Sequence, residues 1–368
     1  MIASSYRCGC PVSSPQHGAP RLANAIDLHC HILAPEAEAL VAGRPEMQAM
    51  AQDLMRFNGE ASQRHNMAMA PSYAPRLLDI PTRLADMDAL GVAIQALSPS
   101  PTQYHYWADA ALADELVRVQ NERLETVCGS NPSRFVAFAA VALQHPELAA
   151  TQLRAAMAKG FKGAEISTRV LDRDLSHPSF EPFWAAAVET GAVIFIHPLG
   201  TSLGERLNEH YLVNVIGQPL ETTIALSKLI FSGVLDRHPG LKIVAAHGGG
   251  YLPQYFGRSD HAYAVRPESK GCSQRPSSYL SKIWFDTVVH DPTILQNLIA
   301  VAGVSQVVVG TDYPFDMGEY RLADLLDALP DLSVSDREAI VFRNAQQLLG
   351  LVEIAGASAS PGLQPPPA

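Results

Sequence analysis

Eight short apolar runs, each followed by a segment of helical periodicity, constrain this chain more than any other feature. They are 25–31 (AIDLHCH), 92–98 (VAIQALS), 135–141 (FVAFAAV), 163–167 (GAEIS), 192–197 (AVIFIH), 242–247 (KIVAAH), 283–288 (IWFDTV) and 306–311 (QVVVGT). Runs this continuously apolar read as strands buried on both faces, which is the property of a parallel sheet whose crossovers are helices. The intervening segments fit. Residues 109–128 place Leu112, Leu116, Val119 and Leu124 on a helical repeat, and 146–159, 178–190 and 292–302 each open on a proline, where a helix loses no hydrogen bond. Eight β-α pairs predict an α/β fold closed as a (β/α)8 TIM barrel. An open doubly wound sheet is the weaker option, because no GxGxxG and no Walker-type glycine loop follows the first strand.

The barrel is expected over 24–353. Residues 34–79 break the alternation and read as an insertion after strand 1, lying over the barrel mouth and built with short helices. Residues 1–23 and 354–368, rich in Ser, Pro and Gly, read as a flexible lead-in and a disordered tail. The net charge of -10 argues against a nucleic-acid partner, while leaving room for a small anionic substrate in a local pocket. No run approaches the roughly 18 apolar residues that cross a bilayer. The five cysteines have no zinc or disulfide spacing, and residues 1–20 contain no apolar signal core. The expectation is a cytoplasmic protein with free thiols.

Barrel enzymes carry their chemistry at the C-terminal ends of the strands. Four of the eight runs end in a candidate ligand or base: His29-Cys30-His31, Ile196-His197-Pro198, Ala246-His247-Gly248 and Thr311-Asp312-Tyr313. His29 and His31, two apart in a strand, point to one face, and Cys30 points away from it. Hydrogen-bonded core histidines are the bland reading of an HxH pair; three further strand ends of the same kind favour a metal. Asp312 closes so apolar a run that burying it is costly without a partner or an ion. His29, His31, His197 and Asp312 can therefore hold one divalent ion and leave a position open, with His247 beside it as a general acid or base. Gly248–Gly250 let the backbone turn sharply after His247.

At this point the sequence resembles a known group. The segments IDLHCH (26–31), RLADMDALGVAIQALS (83–98), IFIHPLG (194–200), AHGGGYLPQYFGRSDHAY (246–263), RPSSYLSKIWFDTVV (275–289) and VVVGTDYPFDMGE (307–319) carry the resemblance. It is to the amidohydrolase-2 branch of the amidohydrolase superfamily, and most closely to aminocarboxymuconate-semialdehyde decarboxylase and related non-oxidative decarboxylases. The resemblance implies one divalent ion, Zn2+ first and Mn2+ second, on His29, His31, His197 and Asp312. It implies His247 and Asp312 as catalytic groups. It also implies that Arg258 reaches a substrate carboxylate from a neighbouring subunit of a homodimer or higher homo-oligomer.

One departure stands out. Where that decarboxylase has a second carboxylate-binding arginine, in the insertion, this chain has Pro71, with Arg64 and Arg76 as the nearby substitutes. Substrate contacts are further expected from His290, which either lines the pocket or caps the next helix, and from Trp107, with Tyr104, as an apolar wall. Glu165 either faces the barrel interior or is paired outside it. The leading expectation is non-oxidative decarboxylation of a small unsaturated or aromatic carboxylic acid. Two routes stay open: addition of water to a double bond, or protonation of the ring carbon by Asp312 or His247. The alternative is a hydrolase of a lactone, ester, amide or C–C bond, or a hydratase, on the same site.

Overall fold

In a computed structural model of the chain, residue 22 and residues 24–351 are described; the readings of 1–21, 23 and 352–368 lie outside them. Eight parallel strands follow one another around a single sheet. They are β1 (Ala25–Ile32), β2 (Val92–Pro99), β3 (Phe135–Ala139), β4 (Gly163–Ser167), β5 (Val193–His197), β6 (Lys242–Ala245), β7 (Ile283–Asp286) and β8 (Val307–Val308). Beyond Val308 the backbone stays beside β1, with Leu28 N–H donating to Val309 C=O and His31 N–H to Tyr313 C=O. That contact closes the ring, and the fold is a (β/α)8 barrel.

Two apolar layers explain why the strands are apolar throughout. Ile26, Leu28, Phe138, Phe195, Val244 and Val308 fill the interior, plugged at one end by Ala345, Leu348 and Leu349 of the last helix. Cys30, Ile32, Ile166, Ile196 and Phe285 face outward onto the helices. Each helix meets its strand on one buried stripe, as in Leu116, Val117, Gln120 and Leu124 of α4 (Ala110–Ser130), which starts where the Asp109 carboxylate accepts from Leu112 N–H at 2.9 Å. Further around lie α5 (Pro146–Ala158), α6 (Glu181–Thr190), α7 (Gln218–Phe231), α8 (Leu252–Val265) and α9 (Pro292–Ala302).

The insertion differs from the expectation of short helices. After α1 (Pro35–Val41) comes α2 (Pro45–Leu78), 34 residues long and kinked at Gly59, before α3 (Ile80–Leu90) leads into β2. Only Ser62 and Leu77 of α2 are buried, so it has no apolar stripe for sequence periodicity to reveal. Gly59 has φ +73° and lies so close to the backbone carbonyl of Asn208 that a Cβ would sit 1.9 Å from it. Its inner residues Phe57, Asn58, Gln63, Asn66 and Tyr73 face the barrel mouth across from His247 and Asp312.

Candidate metal centre and active site

Alternation along β1 turns His29 and His31 to the same side and Cys30 outward, where its thiol donates to Ala96 C=O. His197 ends β5, His247 follows β6, and Asp312 follows β8. One ligand atom from each of His29, His31, His197 and Asp312 lies within 4.8 Å of the other three. Asp312 Oδ1 is 3.1 Å from His29 Nε2 and 3.3 Å from His31 Nε2. All four residues are buried, and His29 Nε2, His31 Nε2, both His197 ring nitrogens and Asp312 Oδ1 have no hydrogen-bond partner. One unpartnered atom from each of the four residues meets at one point, and such a cluster is costly unless something satisfies its members together. A divalent cation fits: three imidazole nitrogens and one carboxylate oxygen are a zinc-like or manganese-like donor set.

The electrostatics agree with a site built around one positive charge. Burial opposes a charged His29, yet the carboxylates of Asp312 and Asp286 outweigh it and push its pKa up to about 10. Burial, reinforced by His31 and His29, holds His197 well below the ordinary range, so it is neutral and free to donate a lone pair. Burial alone would raise Asp312, but the surrounding histidines keep it well below its usual value.

His247 sits just outside the four. Its Nε2 is 3.5 Å from Asp312 Oδ2, and its side chain is 16% exposed, toward the cavity. Its backbone is left-handed at φ +55°, as are those of Asp312 at +58° and His290 at +56°. Three non-glycine residues in this region at one site represent strain that the surroundings must hold. They do so by hydrogen bonds: Asp286 accepts from the N–H groups of His247 and Gly248 at 3.0 and 2.8 Å, and Asp312 N–H donates to His29 C=O at 2.8 Å. Gly250 is needed because a Cβ there would meet the Pro219 carbonyl oxygen at 2.0 Å.

Two carboxylates stand behind the histidines. Asp286, ending β7, lies 2.5 Å from His29 Nδ1. Glu165 of β4 points into the barrel, 3.6 Å from His31 Nδ1, and accepts from Tyr104 Oη at 2.7 Å. The Asp286 carboxylate has the signal that marked Asp312, an acid closing an apolar run, and could have been found by it. Glu165 has only its place inside a strand, which fixes no face.

Two joined lobes of about 310 and 300 Å³ open from His247 and Asp312. His290 lines the first with Val288, Val289 and Ile294, while the adjacent Asp291 caps α9 by accepting from Thr293 N–H. The pocket option for His290 is the one the fold takes. Ser100, Pro101 and Thr102 of the turn after β2 line the second lobe, but Trp107, farther along, lines neither; it packs against the cluster of Ala34, Ala37, Ala113 and Leu116 and borders a separate cleft with Tyr106 and Arg169, which corrects the expectation of a wall at the site. Tyr104 reaches inward instead. Arg64 is exposed beside Glu60, and Arg76 is tied to Asp86 at 2.7 Å, so neither supplies the arginine missing at Pro71. Arg258, on α8, is exposed and lines neither lobe of its own chain.

A sequence model of the amidohydrolase family matches residues 26–351. The chain belongs to the amidohydrolase family. Among curated relatives of this amidohydrolase is 2-amino-3-carboxymuconate-6-semialdehyde decarboxylase of Dictyostelium discoideum, 33% identical over 276 residues, 74% of this chain and 77% of the relative. Gamma-resorcylate decarboxylase of Rhodococcus jostii is 30% identical over 297 residues, 75% of this chain and 89% of the relative. A solved dihydroxybenzoic acid decarboxylase from a Polaromonas species, with bound manganese and the inhibitor 2-nitroresorcinol, superposes with a TM-score of 0.75. It is 25% identical, and the match covers 90% of this amidohydrolase and 98% of that chain.

Proposed function

We propose that this amidohydrolase is a metal-dependent, non-oxidative decarboxylase of a small unsaturated or aromatic carboxylic acid. The observation that carries the reading is the meeting of one unpartnered donor atom from each of His29, His31, His197 and Asp312 with His247 at the neck of an apolar cavity. The named relatives, all decarboxylases, support the same reaction class. His29, His31, His197 and Asp312 would hold the ion, with Zn2+ favoured by the three nitrogen donors and Mn2+ the second choice. When bound, the ion supplies a Lewis acid that fixes a carboxylate or phenolic oxygen and offsets developing negative charge.

The chain's own residues do the rest. Val288, Val289 and Ile294 pack the ring and exclude water from it. Asp312 Oδ2 and His247 Nε2, 3.5 Å apart, share the proton that the carbon bearing the carboxylate must receive. Once that carbon is protonated, its bond to the carboxylate breaks. The electron pair returns to the ring and carbon dioxide leaves, so one proton is consumed and no redox partner is needed. Arg258, exposed on α8, would grip the two oxygens of a substrate carboxylate across a homodimer, bidentately as arginine does.

The test is carbon dioxide release by the metal-loaded protein from a panel of hydroxybenzoates and carboxymuconates, run beside lactones and esters. Release from one acid, with no hydrolysis of the esters, is the expected result. Hydrolysis without carbon dioxide would replace this reading with that of a hydrolase.

A further inference from the structure

Arg83, on α3, is fully buried, yet none of the three acceptors its guanidinium meets is a carboxylate. It donates to the backbone carbonyl of His31, to that of Arg76 at 3.0 Å and to Gln95 Oε1 at 3.0 Å, and lies 4.7 Å from the centre of the Tyr313 ring. His31 is a candidate ligand, and Tyr313 follows another, Asp312. Gln95 extends the line, its Nε2 donating to Asp27 Oδ2 at 3.2 Å. Asp27 accepts from the N–H groups of His29 and Thr311, each at 3.1 Å, and from the Thr311 hydroxyl at 2.7 Å. Arg83, Gln95, Asp27 and Thr311 are all buried. Together they touch the chain at both histidines of β1 and on each side of Asp312.

The backbone ladder is weakest where these contacts lie. β1 pairs with β2 at Asp27 with Gln95 and then at Cys30 with Leu97, so β1 advances three residues where β2 advances two. A bulge of this kind re-aims side chains and leaves the local pairing open, here at His29. On the other flank β8 ends at Val308, short of Asp312. We infer that Arg83 is a positioning residue of the metal centre: with Gln95 and Asp27 it sets the spacing of His29, His31 and Asp312 where strand pairing does not. A buried cation is costly unless its N–H groups are all but satisfied, so the carbonyls around it are held to its plane. The rigid fork of arginine gives that plane a fixed geometry, which a flexible ammonium lacks. His197, on β5, lies outside the reach of this network. The inference rests on the reading of His29, His31, His197 and Asp312 as the ligands of one ion.

The experiment measures Zn2+ and Mn2+ affinity of the full chain, together with the visible absorption of the Co2+-loaded protein, whose bands follow the arrangement of ligands around the ion. Arg83→Lys keeps the charge and loses the fork; affinity should fall by about tenfold or more and the Co2+ bands should shift. Thr311→Val keeps the shape, cuts the same line at its far end, and should act in the same direction. Combined, the two should cost less than the product of their separate fold-losses, as links of one network do. A full product would separate Thr311 from Arg83 and overturn the inference. So would a lowered melting temperature in Arg83→Lys with affinity and bands unmoved, which is the mark of packing alone. If Arg83→Lys does not fold, Thr311→Val decides: weaker binding with shifted bands supports the assignment, and unmoved binding overturns it. An unmodified protein that binds none of the three ions would sink the metal reading itself, and this inference with it.

Discussion

Asp286 Oδ2 lies 2.5 Å from His29 Nδ1, a fully buried pair joining the end of β7 to the end of β1. The same carboxylate accepts the backbone N–H groups of His247 and Gly248. One side chain thereby orients a candidate ligand and the backbone of the candidate acid–base. Asp286→Asn would remove the charge and keep the shape. It is expected to weaken metal affinity by about 10–100-fold, as loss of an outer partner of a ligating histidine does. Titration of the apo protein with Mn2+ or Zn2+ reads this; unchanged affinity would separate Asp286 from the centre.

Glu165 has the corresponding place behind His31, at 3.6 Å from its Nδ1. Burial pushes its carboxyl up from the usual range, against the pull of His31 and Tyr104. Glu165→Gln keeps an acceptor oxygen for His31 and turns an amide N–H to the Tyr104 hydroxyl, which can accept it, and should retain most of the metal affinity. Glu165→Ala takes the hydrogen-bond partner from the buried Tyr104 hydroxyl and the facing carboxylate from His31, and should lose about tenfold or more. Equal affinity in the two variants would show that Glu165 merely fills space.

His247 contributes no atom to the four-ligand cluster. His247→Asn is therefore expected to keep full metal content while turnover falls by about 10²–10⁴-fold, the usual worth of a positioned proton donor. Metal analysis and kcat are measured on the same preparation. Retained turnover with metal bound would remove the assigned role.

His290 supplies a pH dependence. Burial disfavours its charged form, but Glu319, with its Oε2 3.4 Å from His290 Nδ1, outweighs that and raises the pKa above the ordinary 6.5. The sign follows from linkage. The stabilising pair is fully present below pH 6.5 and is lost as pH rises through the raised folded value. Affinity for an anionic ligand in the first lobe should fall over that same alkaline interval, because the cavity loses a positive charge. In His290→Gln the slope should vanish. NMR titration of the His290 ring checks the direction directly, and a value below 6.5 would reverse the prediction.

Removing the ion should cost stability as well as activity, since the ligand atoms have no other partners. An ion at 100 times its Kd stabilises the native state by about 2.7 kcal/mol. Thermal melting with and without chelator should show that drop, with recovery on adding Mn2+ or Zn2+. Identical melting curves would mean that no ion binds here.

The barrel was legible from the chain because each of its strands is apolar on both faces, and such segments can be stable only inside layers of helix. The candidate ligand cluster was legible for a related reason: His29, His31, His197 and Asp312 each lie at the end of an apolar run, at the positions where a barrel opens to solvent. Those are local properties, encoded in consecutive residues. The tertiary structure alone decided what depends on residues far apart in sequence. Asp286 meets His29 across 257 positions, and Glu165 turns inward only because of the register of β4 with β5. Trp107 shows the limit plainly. Its distance from the strand end suggested the pocket, but the direction of a loop is set by what it packs against, and Trp107 packs against α1 and α4. The long helix α2 had no periodic signal, because it buries so little of itself; its role came from where it lies, over the mouth of a barrel formed by the rest of the chain.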